Sequence, residues 1–599
     1  MKYQNLKRLL AAVLSCSMLA AVFTGCGNSG DSVKEGSESR NTVSVSTETD
    51  SAEEVTEASA DEEFDPRSIT EGVTLTIAVA DQVRVSDWNT NATTLLVEEA
   101  LGVDLVFEAY ASSDYMNKLT VMVNGGDELP DIIFATSSGF SSSVVTDWGD
   151  NGAIIPLNEY YENPDYAKNI NEGSERAGID IPSLLKNVNG DIWGAPLYCD
   201  QPTNAVPTKL WINKAYAEAL GYETIPTTTE DFYELCKEFK AAGDMNGNGI
   251  DDEVVFTAHS TSTAWFKFLM SPFVYAWDDY YLDVTDGKLE FAYTTDEWKE
   301  GLKYIKRFFD EGIIDSTILT NDSAAYNAIA KDSSLRMLAY FDYYARPEGS
   351  DTVETYGYRC AYDHVPALEG SEGRIESRYN PVLPKNGAVI SADCENPLAA
   401  FLVLDYFCRE DLSISYRYGE EGVDWDYWEN VDESKMMEGI AKEGVQARTP
   451  EFDNPVFYPY DASGYWTGSD PQNGGYLQAG PAIQQTDLYW GIGIEVDEST
   501  ALGAATREYW DLYIASITDC LAVKPDESVI SLPMTAEETV DANEIQGNLD
   551  SYITESIGAF LTGEWDIDSY WDTYLTELEK IGVNEALTLY QTSYDRTVE

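Results

Sequence analysis

An α/β fold built on a parallel sheet is predicted by three features of this 599-residue chain. Strand-like and helix-like patterns alternate from residue 73 onward, the connections between them are short, and the third strand is almost wholly apolar, as a strand covered on both faces should be. In order, VTLTIAVA (73–80) sets Val73, Leu75, Ile77 and Val79 on one face with small residues between them. NATTLLVEEALG (91–102) has helical spacing and a closing glycine. VDLVFEAY (103–110) is the second strand. SDYMNKLTVMVNGG (113–126) is the second helix, with Ser113 or Asp114 as cap and Gly125 as stop. LPDIIFATS (129–137) is the third strand. Ligands of such sheets bind beyond the carboxyl ends of the strands. Asp81 and Gln82 follow the first strand, and Thr136, Ser137 and Ser138 follow the third, so these tips should face one crevice. Farther on, TKLWINKAY (208–216) contains a strand, and residues 227–242 form a helix. Thr227 and Glu230 read as its capping box, and Phe232, Leu235, Cys236, Phe239 and Ala242 as its buried stripe.

The N-terminus carries Lys2, Lys7 and Arg8 ahead of the apolar run Leu9 to Phe23, too short for a membrane span but suited to a signal peptide over residues 1–25. FTGC at its end resembles a bacterial lipobox, so Cys26 should be lipidated and become the mature N-terminus. Residues 26–66 are rich in Ser, Thr, Glu and Asp and poor in aromatics, which predicts a disordered tether. The expected location is the outer face of the cell membrane, held there by lipid alone.

The formal charge of −69 repels nucleic acid and anionic polymers and favours a neutral or cationic ligand. Beyond Cys16 and Cys26, the cysteines are scattered without a CxxC pair, which speaks against a disulfide framework or zinc site. His259 and His364 are the only histidines, too few for a His-rich metal centre.

GDMNGNGIDDEV (243–254) is the most specific local motif. Counting from Asp244, oxygen side chains fall at positions 1 (Asp244), 3 (Asn246), 5 (Asn248), 9 (Asp252) and 10 (Glu253). Gly249 stands at the turn, and Ile250 can supply only its carbonyl. This is the first part of an EF-hand loop. The bidentate glutamate of position 12 is missing, because Val255 is there, and Glu253 would take its place. Hard oxygen donors in a flexible loop suit a structural Ca²⁺ of weak affinity, with Kd on the order of 10⁻⁴–10⁻³ M.

PDIIFATS, GAIIPLNEYY, GDIWGAPL, LWINKAY, DMNGNGIDDE, NPLAAFLVLDYF, YGEEGVDW and the ending WDTYLTELEKIGVNEALTLYQTSYDR occur in this order. With the lipobox and tether, the set resembles the extracellular solute-binding lipoproteins of ABC importers, in the large family-1 branch that includes alginate-oligosaccharide and other carbohydrate receptors. In alginate-binding relatives the same loop holds calcium at positions 1, 3, 5, 7, 9 and 10, which here are Asp244, Asn246, Asn248, Ile250 (carbonyl), Asp252 and Glu253.

The resemblance implies an α/β, two-lobe, periplasmic-binding-protein-like (type II) fold with hinge crossovers and a helix-rich C-terminal tail. The chain should cross near Leu197–Gln201, return near Pro381–Lys385 and cross again near Tyr416–Glu421. Lobe 1 would then hold residues 67–200 and 385–415, and lobe 2 residues 201–384 and 416–599. The implied function is capture of a sugar or oligosaccharide and delivery to ABC permease subunits, by a monomer without catalysis. By order along a maltose-receptor-like pattern, the ligand residues would be Asp81, Thr136, Ser137 and Asp200 on lobe 1 and Trp265 and Tyr343 on lobe 2, with Trp425 and Trp466 as further candidates. Trp193 and Trp211 are expected in the core. Competing readings are a same-fold receptor for peptide or another solute, a polysaccharide-binding adhesin, and a secreted glycosidase, for which no nucleophile or phosphate motif stands out.

Overall fold

The structure, a computed structural model, describes residues 64–126, 128–330, 332, 334–343, 353–435, 457–460, 471–476, 479–484 and 499–598. Cys26 and Trp466 lie outside the described residues. In chain order the strands are β1 (Thr74–Ala80), β2 (Asp104–Tyr110), β3 (Ile132–Phe134), β4 (Gly194–Cys199), β5 (Lys209–Asn213), β6 (Leu282–Thr285), β7 (Lys288–Phe291), β8 (Ala339–Asp342), β9 (Tyr362–Val365), β10 (Lys385–Ile390), β11 (Trp425–Tyr427), β12 (Phe457–Pro459) and β13 (Ala482–Gln484).

The first sheet has the order β13-β4-β10-β3-β1-β2. β1 runs parallel to β2 and β3, as the β-α-β-α-β pattern predicts. β10 runs antiparallel to β3 and β4, because it enters the sheet from the far half of the molecule. Alternation along β1 supplies both cores of this sheet. Leu75, Ile77 and Val79 pack on one face with Phe107, Phe134 and Phe401, and Ala78 and Ala80 face Tyr115, Trp148 and Trp193 on the other.

The helices begin and end where local chemistry allows. Ala92–Leu101 is capped by Asn91, whose side chain accepts from Thr93 N–H, and closes on Gly102 at φ 67°. Tyr115–Gly125 takes one residue more than expected: the left-handed stop is Gly126, at φ 66°, rather than Gly125. The helix expected over 227–242 spans Thr229–Ala242. Its cap is Thr228, which accepts from Asp231 N–H, rather than Thr227 with Glu230; Glu230 instead pairs with Arg307 at 2.8 Å. Phe232, Leu235, Cys236 and Phe239 are buried as the stripe requires, while Ala242 is exposed.

The second half centres on the sheet β8-β5-β9, with the β6–β7 hairpin beside it. Its aromatic core joins residues between 210 and 368 with residues 542–594 of the C-terminal helices Ala536–Thr562, Ile567–Ile581 and Val583–Val598. The helix Ala501–Ala522 packs into a separate cluster with Trp211, Tyr340 and Trp425. The expected assignment of 416–599 wholly to this half needs correcting. β13 pairs parallel with β4 at the edge of the first sheet. Ahead of it, Gln472 exchanges backbone hydrogen bonds with Arg84 and Ser86 at 2.8 Å, and Asn473 accepts from Ala92 N–H at 2.8 Å. The six cysteines from Cys199 to Cys520 are free thiols, four of them buried.

Candidate functional site at the crossings

The chain leaves β4 at Cys199 and reaches β5 at Lys209; it comes back through Tyr379–Pro381 to β10. The two passages touch, with Asn380 N–H donating to Ala205 O at 2.7 Å. Asp200 and Tyr343 are brought close here. Asp200 N–H donates to Gln484 O at 3.3 Å, and Tyr343 Oη donates to Asn204 Oδ1 at 2.9 Å. Asn204 Nδ2 in turn reaches the Cys199 carbonyl at 3.3 Å. Burial raises the Tyr343 hydroxyl to about 12 and pulls the neighbouring Lys209 ammonium down to about 8, so one keeps its proton and the other gives it up more readily.

A cavity of about 340 Å³ opens beside the return passage, lined by Trp277, Asp278, Asp279, Tyr280, Arg378, Tyr379 and Asn380. Arg378 lies over the Trp277 ring at 5.4 Å and donates to Thr208 at 2.9 Å. Among the described residues, the Trp277 indole N–H and the Arg378 Nε find no hydrogen-bond partner. Asp278 accepts from Tyr280 and Leu282 N–H at 2.8 and 3.2 Å, yet burial still raises its carboxyl to about 6. Aromatic faces beside carboxylate and guanidinium groups are the chemistry that grips a pyranose or furanose ring and its hydroxyls. A larger cavity of about 480 Å³ lies against the helix Lys168–Ala177. Four of its charges pair with one another, Arg176 with Glu410 and Arg409 with Asp411, and Tyr427 is its one aromatic.

The remaining expected ligand residues fall in two classes. Asp81 and Ser137 are exposed and Thr136 is half-buried, at the ends of the adjacent parallel strands β1 and β3. The Asp81 carbonyl accepts from Ser112 Oγ. Trp265, by contrast, is 4% exposed and ringed by Phe256, Phe266 and Phe309 at 6.4, 5.9 and 6.2 Å. Trp425 is fully buried, and its indole N–H already donates to Gly419 O at 2.9 Å. Neither has a free ring face, because both serve as core. Trp193 and Trp211 are buried too. Trp277, 3% exposed, backs the cavity from the core; Asp279 and Tyr280, which reach its surface, went unsingled from the sequence, where the run WDDYY (277–281), an aromatic set among acids, marks them.

In the loop 243–254 the side-chain oxygens turn inward. Asp244 accepts from Asn248 and Gly249 N–H at 3.0 and 2.8 Å, and Asn246 Oδ1 from Asn248 N–H at 3.0 Å. Asn248 Oδ1 accepts from Ile250 N–H at 2.7 Å. Glu253 is 7% exposed and accepts from Asn246 N–H at 2.9 Å. Gly247 and Gly249 hold φ of 73° and 85°, which a Cβ would strain. Arg336 donates to the Asp252 carbonyl at 2.8 Å and pairs with its carboxylate at 3.1 Å. Among the described residues no cluster of three or more His, Cys, Asp or Glu is placed to hold a metal ion.

A family profile for bacterial extracellular solute-binding proteins matches residues 86–408. The chain belongs to this family. Among its relatives, the fructooligosaccharide ABC transporter substrate-binding protein FusA of Streptococcus pneumoniae is 25% identical over 84% of this chain and 86% of that one. Lipoprotein LipO of Bacillus subtilis is 26% identical over 83% and 88%. The solved structure of FusA in complex with kestose has a TM-score of 0.64 at 23% identity, covering 88% of this chain and 99% of FusA. An HMO-binding, ABC-transporter-associated solute-binding protein of Bifidobacterium longum infantis reaches 0.66 at 15% identity, over 87% and 98%. The extracellular solute-binding protein described here therefore has the two-lobe α/β architecture of this class. No helix among its described residues is long and apolar enough to cross a membrane.

Proposed function

We propose that this solute-binding protein is a lipid-anchored surface receptor that captures an oligosaccharide between its lobes and delivers it unaltered to an ABC permease. The cavity beside the return passage carries the reading: Tyr280 and Tyr379 offer ring surface, and Asp279, Arg378 and Asn380 offer polar groups. Asp200 and Tyr343 would join them from the first passage, and Asp81, Thr136 and Ser137 would meet the ligand from the strand tips of lobe 1. Closure follows only if the ligand touches both lobes, since differential contact alone shifts the balance. The kinship with FusA makes fructooligosaccharides the first class to try.

The test is calorimetry of the mature protein with kestose and with other neutral, amino and uronic oligosaccharides, followed by product analysis. Stoichiometric heat with no cleavage supports the receptor. Turnover of any of them would replace it with an enzyme.

Calcium at the loop is part of the proposal. Asp244, Asn246, Asn248, Asp252 and Glu253 with the Ile250 carbonyl form an all-oxygen donor set, and a solved FusA structure is of an EF-hand mutant. The ion would offset carboxylate repulsion and pin the end of the helix Thr229–Ala242. Cys26 would carry the lipid, and the protein would act as a monomer.

A further inference from the structure

Lys209 opens β5, the central strand of its sheet, and none of its surface is exposed. Its ammonium donates to Val206 O at 2.9 Å and to Tyr343 O at 3.2 Å, and lies 5.6 Å from the centre of the Tyr343 ring. Both hydrogen-bond acceptors are carbonyls, and neither is a carboxylate. Asp342, its register partner on β8, is the nearby carboxylate, yet burial still pulls the ammonium down, and an apolar side chain of the same volume often serves stability better at such a site. The value of the lysine therefore lies in what it joins.

Val206 belongs to the passage that leaves the first lobe, and Tyr343 follows β8, 134 residues after Lys209. The tyrosine is held at its other end as well: its hydroxyl donates to Asn204 at 2.9 Å, and Asn204 reaches the Cys199 carbonyl at 3.3 Å. The bonds form a circuit. Asn204 and Val206 sit on the passage, Tyr343 bridges them from another part of the chain, and Lys209 completes the loop. A four-carbon stem with three rotatable donors has the reach and the valence to tie two carbonyls at once.

We propose that Lys209 is a positioning residue of the cleft, fastening Tyr343 to the first crossing so that the tyrosine moves with the passage when the lobes rotate. Its effect on affinity rests on the receptor reading above; the fastening itself does not.

The experiment uses the full mature chain with Lys209→Met, Asn204→Ala and the double variant, and reads three quantities: amide hydrogen exchange, the melting temperature, and kestose affinity by calorimetry. In Lys209→Met, exchange over residues 200–206 should rise about tenfold while β1–β3 stay unchanged, the loss of one hydrogen bond at a carbonyl. Its melting temperature should equal or exceed that of the parent. Kestose affinity should fall about tenfold. The double variant should lose no more affinity than the worse single, because both act through Tyr343. Unchanged exchange over 200–206, or additive losses of affinity, would overturn the proposal. If the parent does not bind kestose, that choice of sugar fails and the exchange arm still decides. If Lys209→Met does not fold, Asn204→Ala, at an exposed position, gives the same exchange test: faster exchange over 200–206 supports the circuit and parental exchange refutes it.

Discussion

Asp279 stands exposed at the rim of the cavity that Trp277 walls, where a carboxylate can accept from sugar hydroxyls at little folding cost. Asp279→Asn should weaken oligosaccharide binding about tenfold, the worth of a charge-assisted hydrogen bond, with no change in melting temperature. Calorimetry beside a thermal scan separates the two. Gly249 makes the opposite kind of prediction. Its φ of 85° belongs to glycine, so Gly249→Ala should cost about 1 kcal/mol and weaken calcium binding. A chelator should lower the melting temperature of the parent but not of Asp244→Ala; an identical response in both would remove the metal from the loop. The loop could be read from the sequence because its donors are contiguous and their spacing is the chemistry. Trp265 and Trp425 could not be placed, because a tryptophan in a chain does not say whether its ring faces a cleft or a core.

At the level of single elements, the C-terminal helices show how a cap and an ion pair share one residue. Thr535 and Glu538 form the capping box that starts Ala536–Thr562, and Arg596 of the last helix grips the same Glu538 at 2.7 and 2.5 Å. Arg596 holds the Glu538 carboxyl down at about 2. A depressed carboxyl stabilises the fold above its unfolded value, 4.5, and loses that contribution as pH falls toward 2. Glu538→Gln should therefore cost about 1 kcal/mol at neutral pH, and the difference should shrink in acid. Denaturant melts at several pH values check this, and a pH-independent difference would contradict it. The first two strands and the helix between them were legible to within a residue, since periodicity and glycine stops are local, whereas the third strand, read over 129–137, is only Ile132–Phe134. The caps at Thr228 and Gly126 each moved by one, a shift settled by backbone geometry that no residue type announces.

For the whole molecule, charge and closure dominate. A net charge of −69 makes every compact state repel itself. Raising salt from about 0.01 M to about 0.15 M shortens the Debye length from about 30 Å to about 8 Å, so the melting temperature should rise over that range. Scattering should register compaction on sugar binding; a ligand that binds without it would touch one lobe only. The two-lobe plan was legible through the resemblance. The return of the chain to the first sheet was not, because a three-residue strand on β4, preceded by Gln472 held by backbone hydrogen bonds to Arg84 and Ser86, leaves no periodic trace.

That late return fixes an order of assembly. The outer edge of the first sheet stays bare until residues 482–484 arrive, after about four-fifths of the polypeptide has been secreted. Until then β4 offers an open ladder to any passing strand. A chain cut short at residue 470 should gather into aggregates even though every strand named by its first half is present, and export and folding of this receptor must be completed as one act.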